Sequence, residues 1–175
     1  MSLYRHVNTK EELLAVLADR LLDELDVPDL ADSTWQEEVA AVFRALHRMW
    51  LEHPEFGYIA ASQPVDGKVA HRWMERVLAA LERSGLSERQ VVDAYDSLAS
   101  YTTGSIQQHA GQKVRTVPAA ERVARMRELP EDDFPRVRSF AEALVDRSAE
   151  DHFEAGLALI LRGISAQTAD KTPES

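Results

Sequence analysis

Apolar residues recur every three or four positions along most of this chain, which is the spacing of one face of an α-helix. The first such segment extends from Thr9 to Leu25, and Thr9 with Glu12 predicts a capping box at its start. Prolines and glycines separate the segments, because proline disfavours a helical residue before it and glycine readily ends a helix. The pattern predicts helices at about residues 9–25, 34–53, 69–85, 87–110, 137–144 and 149–166.

The segment between Gly111 and Asp133 has a weaker periodicity and two prolines, so we expect a mobile loop with a short helix there. Residues 167–175 are expected to form a frayed, flexible tail. No segment shows the sustained alternation of apolar and polar residues that a half-buried strand requires, and we find no internal repeat. The sequence therefore predicts an all-α domain.

The composition is that of a globular chain with its own core. Of the 175 residues, 45% are hydrophobic and none is cysteine. A domain of this length buries about two thirds of its extended surface, so it can build a core without metal or disulfide links. The lack of cysteine excludes thiol catalysis and cysteine-ligated zinc.

The net charge of the chain limits the kinds of molecule that it can bind. Thirty acidic against twenty basic residues give a net charge of −10, so the chain as a whole is repelled by phosphate backbones, and a nucleic-acid role needs a locally basic surface. The N-terminus lacks the apolar stretch of a signal peptide, and the longest apolar run, Ala155 to Leu161, is too short to cross a bilayer. We expect a cytoplasmic protein that does not enter a membrane.

Catalytic and cofactor-binding motifs are absent from the sequence. No histidine is preceded three positions earlier by glutamate, which excludes the Glu-x-x-His motif of di-iron helical bundles. The chain also lacks a His-Glu-x-x-His zinc motif, a Gly-x-Ser-x-Gly elbow and a glycine-rich phosphate loop. We therefore expect no cofactor, no metal and no enzymatic activity.

The histidines suggest an alternative function, in catalysis or metal binding. His71 and Glu75 lie one helical turn apart and would suit a metal, although a surface hydrogen bond or ion pair is the simpler interpretation. His47 borders the apolar stripe of the second helix, and we interpret it as a half-buried histidine with its hydrogen bonds satisfied. The alternative is a small helical enzyme or metal binder that uses His47, His71, Glu75 or His109.

Aromatic and methionine side chains recur on predicted helices that face one another. They are Phe43, Trp50, Trp73, Met74, Tyr95 and Tyr101. These residues would line an apolar cavity for a small molecule. An ordinary filled core would use the same residue types, so the pattern alone leaves both interpretations open.

Small residues cluster on the long fourth helix and on the last helix. They are Ala94, Ala99, Thr102, Thr103, Gly104, Ser105, Ala155, Gly156 and Gly163. Glycine inside a helix costs up to about 1 kcal/mol relative to alanine, so its repeated use indicates close approach of another helix. That helix belongs either to a second copy of the chain or to the chain itself.

Residues 3–14, which read Leu-Tyr-Arg-His-Val-Asn-Thr-Lys-Glu-Glu-Leu-Leu, resemble the end of the recognition helix and the start of the next helix in TetR-family transcriptional repressors. The family pattern there is Leu-Tyr-x-His-Phe/Val-x-x-Lys-x-x-Leu-Leu. The resemblance continues at Trp35-Gln36, the His53 turn, Gln63-Pro64, Ser84 to Ser87, Tyr101 to Gly104 and Phe153 to Leu157. It covers nearly the whole chain and is closest to the effector domain of the tetracycline-repressor-like subgroup.

The resemblance implies three groups of functional residues. Tyr4 and His6 would contact DNA, and Lys10 would bind a phosphate. The helices that begin at Ser87 and near Ala149 would form a four-helix dimer interface. Its expected residues are Tyr101, Gly104, Ser105, Gly156, Ile160 and Gly163. The effector pocket would lie between the middle helices. Its expected residues are Val42, Leu46, Trp50, Ile59, Gln63, Met74, Val77, Val92, Tyr95 and Ala99.

Two departures from the namesake repressor bear on the effector. That repressor binds a drug–magnesium chelate with a histidine where this chain has Ile59 or Ala60, and Val42 replaces a polar amide on the second helix. Both changes argue against a tetracycline–magnesium effector. They favour a lipophilic, aromatic small molecule.

The resemblance divides the chain into a remnant of the recognition helix at residues 1–8, an effector-binding and dimerisation domain at residues 9–166, and the tail at 167–175. The chain starts inside the recognition helix, so we expect most of the helix-turn-helix to be missing and DNA binding only where those helices are present. A start codon assigned too late, a deliberately shortened polypeptide and a natural variant would each explain this.

We interpret the chain as the sensing and dimerising portion of a TetR-like repressor. Its expected partners are a second copy and a small, mostly apolar ligand that releases DNA binding by the missing head. The alternative is a partner without a DNA-binding head, which sequesters full-length relatives in mixed dimers.

Overall fold

The computed structural model describes residues 9–28, 32–53, 67–113 and 117–169. Eight α-helices and no strand occur in these ranges, so the all-α prediction is confirmed. The helices are α1 (Lys10–Asp23), α2 (Trp35–Glu52), α3 (Lys68–Glu82), α4 (Glu88–Lys113), α5 (Ala119–Arg127), α6 (Pro135–Ser139), α7 (Ala141–Val145) and α8 (Ala149–Ala169).

The helix ends follow local sequence chemistry. The predicted capping box is present at α1, where the Glu12 amide donates to Thr9 Oγ1 over 3.1 Å and the Thr9 amide donates to the Glu12 carboxylate. Thr34 and Glu37 form a second box at α2, which lowers the pKa of the Glu37 carboxyl through the hydrogen bonds from the Thr34 amide and hydroxyl. These caps satisfy amides that a helix N-terminus leaves without partners.

Several helix ends differ from the sequence pattern: α1 and α3 end two or three residues earlier than predicted, whereas α4 and α8 end three residues later. α4 continues to Lys113, and α5 occupies part of the segment where we expected a loop with a short helix. α8 continues to Ala169, so residues 167–169 are helical rather than part of a tail. Residues 170–175 lie outside the described ranges.

The core lies between α2, α3, α4 and α8. Its largest fully buried side chains include Phe153, Leu81, Leu98 and Leu157. α1 packs against α3, while α5, α6 and α7 pack against one another as a helical arm. The arm leaves apolar side chains in solvent, with Phe140 57% exposed and Leu144 58% exposed. The four-helix core is therefore the part of the fold that shapes an interior site.

α4 and α8 approach closely within the chain. The Tyr101 hydroxyl donates to the carbonyl oxygen of His152 over 2.9 Å, and a Cβ at Gly156 would overlap the Tyr101 ring. Gly156 is thus the residue that lets α8 accept the tyrosine of α4. The small residue here serves packing inside one chain.

An ion-pair cluster joins α2 to α3. Glu38 accepts hydrogen bonds from Arg76, with an N–O distance of 3.0 Å, and from Arg83. Partial burial raises the pKa of the Glu38 carboxyl, but the hydrogen bonds from the two guanidinium groups outweigh burial, so the net pKa is lowered. The carboxylate is therefore favoured in the folded state.

Replacing Glu38 with glutamine should lower the free energy of unfolding by about 1–2 kcal/mol at neutral pH, since charged hydrogen bonds at a mostly buried carboxylate are lost. Because the folded-state pKa lies below the ordinary value of 4.5, this contribution is present above pH 4.5 and is lost as the pH falls through the folded-state value. Urea unfolding of both proteins across this range would measure it. If the difference in unfolding free energy between the two chains persisted at the lowest pH, it would not come from the Glu38 carboxylate. The control is Glu121→Gln, which alters an exposed ion pair with Arg125.

Candidate ligand pocket

A cavity of about 140 Å³ lies between α2, α3 and α4, with one residue of α1 at its edge. Cavities of about 150 Å³ in protein cores hold a benzene molecule. The thirteen lining residues are Leu22, Val42, Phe43, Leu46, Trp50, Ala70, Trp73, Met74, Val77, Tyr95, Ala99, Thr102 and Thr103. None of them is charged, and most are aliphatic or aromatic. The cavity therefore suits a neutral, largely apolar molecule.

The periodicity of each helix places these residues on the cavity. On α2, Val42 and Phe43 are buried and anchor the wall in the core. On α4, Ala99 lies four residues after Tyr95, so both face the cavity while the buried residue Leu98 faces the core. The small side chain of Ala99 helps leave this volume free.

Two of the polar groups in the cavity walls already donate hydrogen bonds to backbone carbonyls, and two others are available to a ligand. Thr102 Oγ1 donates to the Leu98 carbonyl over 2.8 Å, and Trp73 Nε1 donates to the Leu22 carbonyl over 2.9 Å. The hydroxyl groups of Tyr95 and Thr103 make no hydrogen bond with the part of the chain that the structure describes. Burial, followed by the nearby charge of Asp96, raises the pKa of the Tyr95 phenol, so it stays protonated at neutral pH and can donate.

Seven of the ten residues expected in the effector pocket line this cavity, namely Val42, Leu46, Trp50, Met74, Val77, Tyr95 and Ala99. Val92 does not line it and is 46% exposed. It lies two turns before Ala99 on α4, about 10 Å away along the helix, so it is beyond the end of the cavity. Ile59 and Gln63 lie outside the described residues.

Six lining residues were not among the expected ones. Phe43 and Trp73 belong to the aromatic set and Thr102 and Thr103 to the small-residue set, so the sequence carried a signal for each. Leu22 and Ala70 belong to neither set. Leu22 lies on α1, which packs against α3, and Ala70 lies one turn before Trp73 and Met74 on α3. Tyr101, from the aromatic set, packs on Phe153 instead, with ring centroids 5.8 Å apart.

The residues expected at a dimer interface fall into two groups. Tyr101, Ser105, Gly156 and Ile160 make contacts inside the chain, and Ser105 is buried with its hydroxyl 3.3 Å from His47 Nε2. Burial within the chain removes Ser105 from any surface that a partner can reach. Gly104 and Gly163 are exposed, and a Cβ at either would meet nothing within 4 Å.

The histidines considered for a metal-binding or catalytic function do not form a common site in the described part of the chain. His47 is buried rather than half-buried, and its ring stacks on Phe153 with centroids 3.9 Å apart.

His71 lies on the exposed side of α3, and among the described residues no group of three or more histidine or acidic side chains is arranged to hold a metal. Tyr4 and His6 lie outside the described ranges, as does the side chain of His109, and Lys10 is the first residue of α1.

The helices that the structure describes include none that is both long enough and apolar enough to span a membrane.

Comparison with known proteins supports a single family. Residues 27–168 match the family model described as the tetracyclin repressor-like, C-terminal domain. The chain is 30% identical over 190 residues to the transcriptional repressor DrrR1 of Streptomyces coeruleorubidus, an alignment that covers all of this chain and 68% of DrrR1. It is also 30% identical to an HTH-type transcriptional regulator of Saccharopolyspora erythraea, over 90% of this chain and 70% of that protein.

Solved structures agree with the sequence relatives. Apo ActR from Streptomyces coelicolor superimposes with a TM-score of 0.83 at 28% identity, over 95% of this chain and 80% of ActR. ActR in complex with actinorhodin gives a TM-score of 0.84 at 28% identity, and its complex with (S)-DNPA gives 0.82 at 30% identity, with the same coverage. DrrR1 is a transcriptional repressor, the Saccharopolyspora erythraea protein is a transcriptional regulator, and ActR is a TetR family protein. With its all-α core and its match over residues 27–168, the chain belongs to the TetR family of transcriptional regulators as a tetracycline repressor-like C-terminal domain.

Proposed function

We propose that this chain is the ligand-sensing and dimerising part of a TetR-like transcriptional repressor, and that it binds a small, neutral, aromatic molecule whose binding releases the repressor from DNA. The observation that carries the proposal is the uncharged cavity between α2, α3 and α4, with aromatic side chains in its walls. Solved complexes of the similar protein ActR with actinorhodin and with (S)-DNPA support a ligand role for this fold.

The chemistry of the walls argues for a neutral ligand. A charged group in this cavity would lose its hydration without gaining an opposite charge, because none of the thirteen described lining residues is ionised at neutral pH. Among the described lining residues there is no histidine or carboxylate to ligate a metal chelate, and the buried Val42 offers only aliphatic contact. The protonated phenol of Tyr95 and the hydroxyl of Thr103 supply hydrogen bonds for a ligand hydroxyl or carbonyl.

Calorimetric titration with a matched pair of aromatic probes tests this proposal. 1-Naphthol is neutral at pH 7 and 1-naphthoate is anionic, while both carry the same two-ring system. We expect 1-naphthol to bind at one site per chain, and 1-naphthoate to bind at least about tenfold more weakly because its charge must be desolvated. Equal affinities, or no binding of 1-naphthol, would overturn the proposed ligand class.

The proposed dimer uses the exposed surface of α4 and α8. Leu159 on α8 is 62% exposed, the highest value for a large apolar side chain in the described part of the chain. Gly163 follows it by one helical turn, so the two share a face, and Gly104 on α4 is also exposed with open space around it. An exposed apolar side chain beside Gly163, which has open space around it, supports contact with a second copy.

A further inference from the structure

A second cavity, the α2–α8 cleft, lies on the side of α2 that faces away from the cavity between α2, α3 and α4. Its volume is about 180 Å³, and its α2 wall includes Arg44, Arg48 and Leu51. Arg44 follows Val42 by two residues, which is a rotation of about 200° around the helix. None of the described residues that line the cleft also lines the first cavity. The two cavities are therefore separate.

The cleft also lies away from the proposed dimer surface. Glu150 of α8 lines the cleft, and Leu159 follows it by nine residues. Nine residues correspond to two and a half turns, so the two side chains leave opposite sides of α8. A second copy bound at Leu159 would leave the cleft accessible to a small molecule.

A bidentate ion pair joins α2 to α8 at one end of the cleft. Arg44 Nε and Nη2 each donate to a Glu154 carboxylate oxygen over 2.7 Å. These hydrogen bonds raise the pKa of the Arg44 guanidinium and lower the pKa of the Glu154 carboxyl. Nearer the start of α2, Gln36 Nε2 donates to Ser165 Oγ over 3.4 Å, so the two helices run antiparallel. The charges of Arg44 and Glu154 are already neutralised by each other.

The same register places a second pair of opposite charges across the cleft. Arg48 lies one turn after Arg44 on α2, and Glu150 lies one turn before Glu154 on α8, so they face each other from antiparallel helices. Both side chains line the cleft, yet neither forms an ion pair or hydrogen bond with the residues that the structure describes. The cleft separates two charges that the register would otherwise pair.

The floor of the cleft is apolar and aromatic. The rings of His47 and Phe153 stack with centroids 3.9 Å apart and are both buried, and the half-buried Leu51 lies beside them. A cavity of about 150 Å³ holds a benzene ring. The cleft thus offers one cation, one anion and room for an apolar group of about this size.

We propose that the α2–α8 cleft binds a zwitterion of the α-amino acid class with an apolar side chain, whose carboxylate pairs with Arg48 and whose ammonium group pairs with Glu150. The planar guanidinium of arginine matches a carboxylate in shape and charge. A singly charged ligand would leave one of the two protein charges without a partner, and a neutral ligand would leave both. This site is independent of the first cavity, whose uncharged walls disfavour a zwitterion.

Calorimetric titration of the whole chain with three probes that share one phenyl ring tests this inference. L-Phenylalanine carries both charges, 3-phenylpropionate lacks the ammonium group, and phenethylamine lacks the carboxylate. We expect L-phenylalanine to bind at one site per chain, and each of the other two to bind at least about fivefold more weakly because one ion pair is lost. Saturating 1-naphthol should leave the affinity for L-phenylalanine unchanged.

Two substitutions assign the charges. Arg48→Gln should weaken L-phenylalanine binding about fivefold and leave phenethylamine binding unchanged, since only the carboxylate loses its partner. Glu150→Gln should weaken L-phenylalanine binding to the same extent without weakening 3-phenylpropionate binding. Both side chains are exposed, so the variants should fold. The control is Arg89→Gln on α4, which alters an exposed pair with Asp93, lines neither cavity and should change none of the affinities.

Several outcomes would overturn this site. They are the absence of saturable L-phenylalanine binding, equal affinities for the three probes, displacement of L-phenylalanine by 1-naphthol, and wild-type L-phenylalanine affinity in Arg48→Gln or Glu150→Gln. Titration with 1-naphthol alone decides the first cavity, so either proposal can fail without the other.

Discussion

Replacing Ala99 with phenylalanine should strongly weaken ligand binding while the chain remains folded. The substitution adds a phenyl ring to a residue that lines the cavity, and the cavity volume of about 140 Å³ matches one such ring. The new side chain therefore occupies the space of the ligand. Calorimetric titration should show at least about a tenfold loss of 1-naphthol affinity. The free energy of unfolding should stay within about 1 kcal/mol of wild type, because an apolar ring fills an apolar void.

The control for this substitution lies on the same helix. Val92→Phe adds apolar bulk two turns before Ala99, where the side chain is exposed and does not line the cavity. It should leave 1-naphthol affinity unchanged. If Val92→Phe impaired binding and Ala99→Phe did not, the ligand would bind elsewhere on α4.

Replacing Leu159 with glutamate should convert the proposed dimer into monomers. Leu159 is exposed on α8 of the isolated chain, so the change should cost little stability within one chain. A two-fold interface carries the substitution twice, and about 2 kcal/mol for each buried charge gives about a thousandfold weaker association. Sedimentation velocity at micromolar concentration would measure the shift.

Leu13→Glu is the control for the dimer. Leu13 on α1 is also an exposed large apolar residue, at 39%, but it does not lie on the α4–α8 surface. We expect the same sedimentation coefficient as wild type. A wild-type chain that is monomeric, or a Leu159→Glu chain that remains dimeric, would refute the proposed interface.

The helices were predictable because their signals are local. Spacing of three and four between apolar residues marks a buried face, and the pairs Thr9 with Glu12 and Thr34 with Glu37 form capping boxes within four consecutive residues. α8 extends beyond its predicted end, because residues 167–169, which read Gln-Thr-Ala, contain no proline or glycine that would stop the helix.

The candidate site was only partly predictable, because a helical face does not reveal where along it a cavity ends. Val92 and Ala99 share nearly one face of α4, yet only Ala99 reaches the cavity. Cross-helix contacts are also invisible in a single sequence. The sequence around Asp19 is typical of a solvent-exposed acidic residue in an amphipathic helix. In the structure, however, Asp19 caps a helix that begins about fifty residues later in the chain.

Small residues show the same limit. Gly156 and Gly163 lie seven residues apart on α8, and the sequence does not distinguish their roles. Only Gly156 packs against a side chain, that of Tyr101, and Gly163 faces open space. The sequence indicated close helix approach, and the structure separates contact within the chain from a surface free for a partner.

Methyl NMR of the chain labelled with 13C at its methionine methyl groups tests the central claim most directly. Met74 lines the cavity, whereas Met49 borders a groove between α1 and α2, and Met126 lies on α5 in the arm. On titration with 1-naphthol, the Met74 methyl resonance should shift to saturation and show contacts to the naphthol protons, while those of Met49 and Met126 stay unchanged. A saturable shift at Met49 or Met126 without one at Met74, or no shift at all, would contradict the account.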